Sequence, residues 1–184
     1  MVLTPGPQGR LLVLSALALS ACTGDAPSAP AALPADGGLV LSAEGLGGVG
    51  ADTPLDAARI AQALPDVTAE AAPAGDAAAV WVLRDGQLLA EVYAAADGRL
   101  GRIEVTGDVP GPDSLTVGQT FAASGLARRA CAPGDAGLAG LVVCDADGVE
   151  AVFAHGWDGP SAELPPDDAL ADAFLARMVW RADG

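Results

Sequence analysis

The sequence predicts an α+β domain in which two helices pack on an antiparallel sheet. Short apolar segments of strand length are joined by Asp-Gly turns at 85–86 and 147–148, a pattern typical of β-hairpins. Two other segments, which begin at Thr53 and Thr120, combine a helix-start residue with apolar residues at helical spacing. Each half of the chain thus reads helix, hairpin, strand, and this repeated order raises the hypothesis of a duplicated helix-hairpin-strand unit.

The first half opens with a short apolar strand over 39–41. A helix is expected from Thr53, which can cap it, with Pro54 at the first helical position and Asp56 near the positive end of the helix dipole. Pro65 ends this helix. Its apolar face carries Ala57, Ile60, Ala61 and Leu64.

The remaining elements are predicted strands and a second helix. In the first half these are a hairpin of 80–83 with 88–94 and, after the Asp97-Gly98 turn, a strand over 101–106. In the second half they are a helix from Thr120, a hairpin of 141–144 with 149–154, and a last strand over 174–180.

The N-terminus indicates export. Arg10 precedes the apolar run 11–21, which is too short to span a bilayer core as a helix, since that takes about 20 residues. We therefore expect residues 1–21 to be a signal peptide. The run ends in Leu19-Ser20-Ala21-Cys22, which resembles the bacterial lipobox, in which the cysteine thiol accepts diacylglycerol. The alternative is an uncleaved apolar helix that ends in cysteine by chance.

A lipidated Cys22 defines the organisation of the mature chain. Two or three acyl chains on one cysteine hold a protein stably on a membrane. Residues 22–38, rich in Pro, Ala and Gly, are expected to be the lipidated N-terminus and a flexible linker. Residues 39–184 then form a single periplasmic domain. Residue 23 is Thr and not the Asp that in enterobacterial lipoproteins typically signals retention in the inner membrane, so resemblance to that sorting rule implies the outer membrane.

The charge excludes one class of partner. Removal of residues 1–21 takes away Arg10 and no acid, which leaves 8 Arg against 24 acidic residues and a formal charge of −16. Such a charge repels nucleic acid. No nucleic-acid partner is expected; the expected partners are the membrane, through the lipid, and an envelope protein.

Cys131 and Cys144 remain as a pair in an oxidising compartment. We expect a disulfide between the end of the second helix and the first strand of the second hairpin. The alternative is a redox or nucleophilic thiol, for which a C-x-x-C spacing would be the usual sign.

Two short motifs allow a functional and a structural interpretation. The loop 45–50 matches G-x-G-x-x-G, but the predicted helix begins beyond its last glycine and a hairpin follows where a nucleotide-binding crossover is required. We expect a backbone turn and no bound cofactor. The segment 145–148 (Asp-Ala-Asp-Gly) resembles the opening of a calcium loop without its later ligands, so we expect a polar hairpin turn and no metal.

No catalytic constellation emerges from the remaining residues. His155 is the only histidine, and Ser114, Ser124 and Ser161 all lie outside a G-x-S-x-G elbow. We expect His155 at a strand end near Trp157. The aromatic residues are expected in the core and not in a ligand box; they are Trp81, Trp157, Trp180, Phe121, Phe153 and Phe174.

Several short motifs carry a family resemblance. They are Leu41-Ser42-Ala43-Glu44-Gly45-Leu46-Gly47, Thr53-Pro54-Leu55-Asp56, Ala63-Leu64-Pro65, Gly118-Gln119-Thr120-Phe121, the two late cysteines, and Met178-Val179-Trp180-Arg181. With the lipobox, their order resembles the uncharacterised RpoE-regulated lipoproteins of Gram-negative envelopes. The resemblance covers most of 39–182 and implies an outer-membrane lipoprotein linked to envelope stress. The Pro- and acid-rich loop 156–167 departs from that pattern.

We therefore expect a non-enzymatic envelope lipoprotein that binds a protein or another envelope component. The alternative is an envelope hydrolase acting on cell-wall or lipid material. In either case, the N-terminal lipidation site is Cys22, the disulfide is Cys131–Cys144, and neither a catalytic residue nor a cofactor or metal ligand is assigned.

Overall fold

The computed structural model describes residues 38–73 and 78–182. A two-stranded ribbon comes first in the sequence, formed by β1 (Leu41–Ser42) and β2 (Gly45–Leu46). The other strands form one eight-stranded sheet. They are β3 (Thr68–Ala71), β4 (Ala79–Arg84), β5 (Gln87–Ala94), β6 (Leu100–Val105), β7 (Cys131–Pro133), β8 (Val142–Ala146), β9 (Val149–Ala154) and β10 (Phe174–Arg181).

The order of strands in the large sheet is β3-β4-β5-β6-β10-β9-β8-β7. Strands β3 to β6 therefore form one antiparallel meander and β7 to β10 form another, and the two halves meet where β6 pairs with β10. A shared order of elements does not establish that one half was copied from the other. The duplicated unit stays a prediction.

The helices are short and stand between the strands in sequence. They are α1 (Ala57–Ala63), α2 (Phe121–Ser124) and α3 (Asp167–Ala171). The α+β class is confirmed in its coarse form, as a mostly antiparallel sheet with a few helices. Where the sequence predicted two helices, the described chain has three α-helices and three short 3-10 helices (Pro112–Ser114, Arg128–Ala130 and Ala136–Leu138). Helix α3 opens on two acidic residues, as the helix dipole favours.

The predicted start of the first helix at Thr53 is wrong by three residues. The helix is capped by Asp56, whose Oδ1 accepts from the Arg59 backbone N–H at 2.9 Å. The Thr53 carbonyl instead accepts from the Leu100 N–H at 3.0 Å, so this segment pairs with the turn before β6. The proline at 54 favours this extended backbone, because it disfavours helical geometry in the residue that precedes it.

The predicted hairpins are confirmed. Strands β4 and β5 are joined at Asp85-Gly86, and β8 and β9 at Asp147-Gly148. All four turn residues have positive φ, which is the requirement of the tight turns that match the twist of antiparallel strands. Asp and Gly occupy these positions because they tolerate left-handed backbone better than other residues do.

One face of the sheet forms the core. Helix α1 contributes Ile60, the residue that follows the helix contributes Leu64, and the connection after β6 contributes Val109 and Leu115, all of them buried. The C-terminal strand is joined to the N-terminal ribbon by the indole of Trp180, whose Nε1–H donates to the Ala43 carbonyl at 2.7 Å. The sheet contributes buried residues from both halves, among them Val82, Val92, Ile103, Val105, Val149, Ala151, Phe153 and Met178.

The predicted disulfide is present, but it joins different elements from those expected. Cys131 lies in the edge strand β7, directly opposite Cys144 in β8, with an S–S distance of 2.11 Å. The expectation that the second helix ends at Cys131 is wrong because α2 ends at Ser124, where Gly125 takes up left-handed backbone; a short 3-10 helix, Arg128–Ala130, leads into Cys131 instead.

The predicted signal peptide 1–21, the predicted lipidation site Cys22 and most of the predicted linker 22–38 lie outside the described residues. Within the described ranges, no helix has the length and apolar character needed to cross a membrane.

Candidate functional site

The sheet face opposite the core carries an unusual row of acidic side chains. Residues paired across neighbouring strands share a face, so the register defines one row across seven strands. We call this the acidic row: Glu70, Trp81, Glu91, Glu104, Val179, Glu150 and Asp145. Beside it, Tyr93, Arg102 and Arg181 are paired in the same way and form the arginine row.

Glu91 and Glu104 stand directly opposite each other on β5 and β6. Like charges at such a position destabilise a sheet unless other groups offset them. Two aromatic donors bind Glu91: the Trp81 Nε1–H donates to Oε1 at 2.8 Å, and the Tyr93 hydroxyl donates to Oε2 at 3.0 Å. The carboxylate is thereby fixed in place by hydrogen bonds from both of its oxygens.

Two guanidinium groups flank Glu104, which is only 14% exposed. Arg102 Nε lies 3.2 Å from Oε1, and Arg177 Nη1 lies 3.6 Å from Oε2. Further along the acidic row, Arg181 donates to both oxygens of Glu150, at 3.1 and 3.2 Å. The two rows therefore interlock, and each arginine that faces them has a carboxylate within ion-pair distance.

Tyr93 connects the two rows. Its ring lies against the Arg102 guanidinium: the Cζ atom of Arg102 is 4.1 Å from the centroid of the Tyr93 ring, a distance at which cation–π attraction is significant. Partial burial raises the pKa of Tyr93 above its ordinary value, and the hydrogen bond and negative charge of Glu91 raise the pKa further. The side chain is thus held as a neutral hydroxyl that donates to Glu91.

An open cleft of about 790 Å³ lies at the end of the arginine row. Its charged lining consists of Arg99, Arg102 and Arg181 with Asp52 and Asp97. Arg99 Nη1 lies 2.9 Å from an Asp52 oxygen, and Arg99 Nε lies 3.8 Å from an Asp97 oxygen. The rest of the lining is Ala51, Tyr93, Ala94, Ala95, Leu100, Gly101 and Ala182.

The glycine loop 45–50 folds as a tight turn with an apolar interior. The backbone groups of Leu46 and Val49 hydrogen-bond to each other at 2.9 Å in both directions, and both side chains are fully buried. Gly45 has a φ of +120°, which side-chain-bearing residues rarely adopt. The loop closes on itself well before the capping residue Asp56, so its glycines lie outside the first turn of α1.

Ser124 and His155 make local backbone contacts. Ser124 donates to the Phe121 carbonyl at 2.7 Å, which satisfies a helix end. His155 follows β9, where its Nδ1 accepts from the Trp157 backbone N–H at 3.2 Å. Ser114 and Ser161 are exposed, and in the described chain no hydrogen bond joins His155 to any of these serines.

The segment 145–148 forms the expected hairpin turn. Asp145 Oδ1 accepts from the Gly148 N–H at 3.2 Å, so this carboxylate supports the turn itself. Among residues 38–73 and 78–182, no three His, Cys, Asp or Glu side chains are grouped in a way that could hold a metal ion.

The expectation that all six aromatic residues lie in the core is only partly right. Phe153 and Trp180 are buried, whereas Phe174 is 49% exposed. Trp81 is half-buried on the outer face, where its indole satisfies Glu91. In the sequence, the outer face is marked by polar side chains that alternate with buried ones in β5 and β6. This alternation does not show which polar residues of different strands lie side by side, because that depends on how the strands pair.

Comparison with known proteins places the chain among uncharacterised relatives. Residues 33–182 match the family described as protein of unknown function, DUF1131. The chain is 28% identical to the uncharacterized protein YfeY of Escherichia coli K12 over 152 residues, 77% of this chain and 78% of that protein. Its fold is similar to the crystal structure of the uncharacterized protein yfeY from Escherichia coli, with a TM-score of 0.57, 24% identity, and coverage of 79% of this chain and 99% of that chain.

Proposed function

We propose a function on the premise that this chain belongs to the DUF1131 family, whose role is unknown and has to be inferred from the residues themselves. The chain is a lipoprotein of the outer membrane, anchored through Cys22 and facing the periplasm. Its folded domain is a non-enzymatic binding module for an envelope component. The resemblance to RpoE-regulated lipoproteins supports a link to envelope stress, and the lipobox supports the anchor.

The observation that carries the binding role is the interlocked pair of rows on the outer face of the sheet. Two carboxylates, Glu91 and Glu104, are paired directly across strands and are then offset by four donor or cationic side chains. Since like charges so placed oppose folding, stability alone gives no reason to keep them. A face that holds charged groups in fixed geometry is suited to recognition, because little side-chain entropy is lost on binding.

Photo-crosslinking in intact envelopes tests this role. A photoreactive phenylalanine analogue replaces Trp81, on the outer face, and separately replaces Ala58, which is exposed on α1. We expect a distinct crosslinked product from position 81 and not from position 58. The yield of this product should fall when Arg177→Gln removes one of the cations that flank Glu104.

Identical products from both positions, or no product from position 81, would contradict a binding role for the outer face. Release of cell-wall or lipid fragments by the purified protein would instead support the hydrolase alternative. The lipidated full-length chain is used throughout, so that the domain is presented to the same membrane as in the cell.

A further inference from the structure

We propose that the cleft at the end of the arginine row binds a small organic ligand through an oxyanion group, either a carboxylate or a phosphate. This inference rests on the binding function proposed above and names the class of ligand. Three observations carry it: the local charge, the pairing of two arginines, and the composition of the lining.

The first observation is a concentration of arginines at one place in an acidic chain. The formal net charge of the chain is −15, yet three arginines line this cleft, together with two aspartates. Both aspartates lie within ion-pair distance of Arg99. Arg102 and Arg181 are therefore the cations whose carboxylate partners, Glu104 and Glu150, stand outside the lining.

The second observation is that Arg102 and Arg181 are directly opposite each other on β6 and β10. Two cations at such a position repel, and an oxyanion between them would convert this repulsion into two attractions. The guanidinium group suits this role because its planar fork of donors matches carboxylate and phosphate oxygens.

Both side chains are already held in place. Arg102 is held by the Tyr93 ring and by Glu104, whose Oε1 lies 3.2 Å from its Nε. Arg181 is held by two hydrogen bonds to Glu150 while remaining 49% exposed. Pre-positioned donors lower the entropy cost of binding, so the pair is ready to receive an anion.

The third observation is the space around the arginines. A cleft of about 790 Å³ is far larger than one ion requires, and it lies within the range of small-molecule sites. Small apolar residues complete the lining, notably Ala51, Ala94, Ala95 and Ala182. The oxyanion is therefore one end of a larger molecule whose remainder is compact and weakly polar.

Isothermal titration calorimetry of the full-length protein in detergent tests the proposal with three compounds. N-acetyl-alanyl-alanine supplies a free carboxylate, glycerol phosphate supplies a phosphate ester, and N-acetyl-alanyl-alanine amide lacks the charge. We expect at least one of the two anions to bind and the amide to bind at least about tenfold more weakly than the acid. Binding of only one anion identifies which oxyanion the site takes.

Arginine variants locate the site. Arg102→Gln and Arg181→Gln should each weaken binding by roughly 10-fold or more, the cost of losing a hydrogen bond to a charged group. Arg59→Gln makes the same change of charge on the exposed surface of α1 and should leave the affinity unchanged. Because Arg102 is partly buried, the more exposed Arg181 provides the decisive variant if Arg102→Gln folds poorly.

Failure of both anions to bind would overturn the proposal, and so would equal weakening by Arg59→Gln, since attraction would then be non-specific. Neither result would change the outcome of crosslinking at position 81, because that experiment detects a partner on the outer face and does not measure anion binding in the cleft. A crosslinked envelope partner without anion binding would leave the binding role standing and remove the oxyanion as its ligand.

Discussion

At the scale of single residues, the cross-strand pair Glu91 and Glu104 determines what its neighbours must be. A carboxylate beside another carboxylate needs donors, and this chain supplies them from aromatic side chains on one side and from arginines on the other. Because Glu104 is only 14% exposed, the cost of taking its charge out of water offsets much of what its ion pairs contribute. Their arrangement is therefore better explained by the geometry that it fixes than by the stability that it adds.

Tyr93 gives a direct measure of that network, because it is the only tyrosine in the chain. Glu91→Gln removes the charge that raises the pKa of Tyr93, so the pKa should move back toward 10. Part of the elevation should persist, since burial is its largest cause. The ultraviolet absorbance of the phenolate during an alkaline titration measures the change.

The control for this titration is Glu70→Gln, which removes an acidic-row charge two strands away from Tyr93 and should leave the pKa of Tyr93 nearly unchanged. Equal shifts in both variants would contradict the contact with Glu91.

The elevated pKa of Tyr93 also has a consequence for stability, because the folded state holds the hydroxyl proton more tightly than the unfolded state does. The free energy of unfolding should thus be unaffected by Tyr93 below pH 10 and fall as the pH rises above it.

At the scale of elements, hairpins could be predicted from sequence and edge strands could not. The Asp-Gly turns and the apolar runs around them are local signals, and they identified β4, β5, β8 and β9. The edge strand β3 has the sequence TAEA, and β7 has the sequence CAP; neither has an apolar alternation to detect. These segments are strands because a neighbour supplies their hydrogen bonds, and that information is not local.

The disulfide holds β7 to the sheet, so its loss should be costly. Cys131→Ala opens a covalent link of sequence separation 13 and should lower the free energy of unfolding by ~2–4 kcal/mol. Urea denaturation measures the loss. Ala132→Ser, at an exposed position of the same strand, should change the free energy of unfolding by less than ~0.5 kcal/mol.

Thiol counting checks the bond itself. In the Cys22→Ala chain only Cys131 and Cys144 remain, and no thiol should react after unfolding without a reductant. Reaction of two thiols under those conditions would show that the bond is absent from the protein.

The glycine loop 45–50 makes a second prediction at this scale. A Cβ atom at Gly45 would overlap the Val49 carbonyl oxygen at a positive φ, so Gly45→Ala should destabilise the domain by at least ~1–3 kcal/mol. At Gly48 the φ is also positive, but no atom lies within 4 Å of the place that a Cβ would occupy. Gly48→Ala should therefore cost less; equal thermal denaturation of the two variants would contradict the close approach at Gly45.

At the scale of the whole molecule, the anchor and the domain are separate predictions. Cys22→Ala removes the acceptor of the lipid and should release the protein from the membrane fraction into the soluble periplasmic fraction. Fractionation of cells that express each form measures this. If the variant stays with the membrane while its domain remains folded, the lipid is not what anchors the chain.

The sequence predicted the fold class and the disulfide pair, but not the candidate site. The site depends on strands whose facing residues are up to about 80 positions apart, as Arg102 and Arg181 are. No local pattern joins such residues. Across the sheet, strands β3 to β6 follow their sequence order and strands β7 to β10 follow the opposite order, so that β6 lies beside β10. This arrangement decides which side chains meet, and it is a property of the assembled sheet.

The central position of β10 also governs the order in which the chain can fold. Each meander joins strands that are neighbours in sequence, so its contacts close over short loops at low entropy cost. The two meanders can be united only by residues 174–181, which follow every other described strand in the sequence. Until then β6 and β9 are open edges, ready to pair with other chains. Pairing of β10 with both β6 and β9 is the step that covers these two edges and makes one sheet.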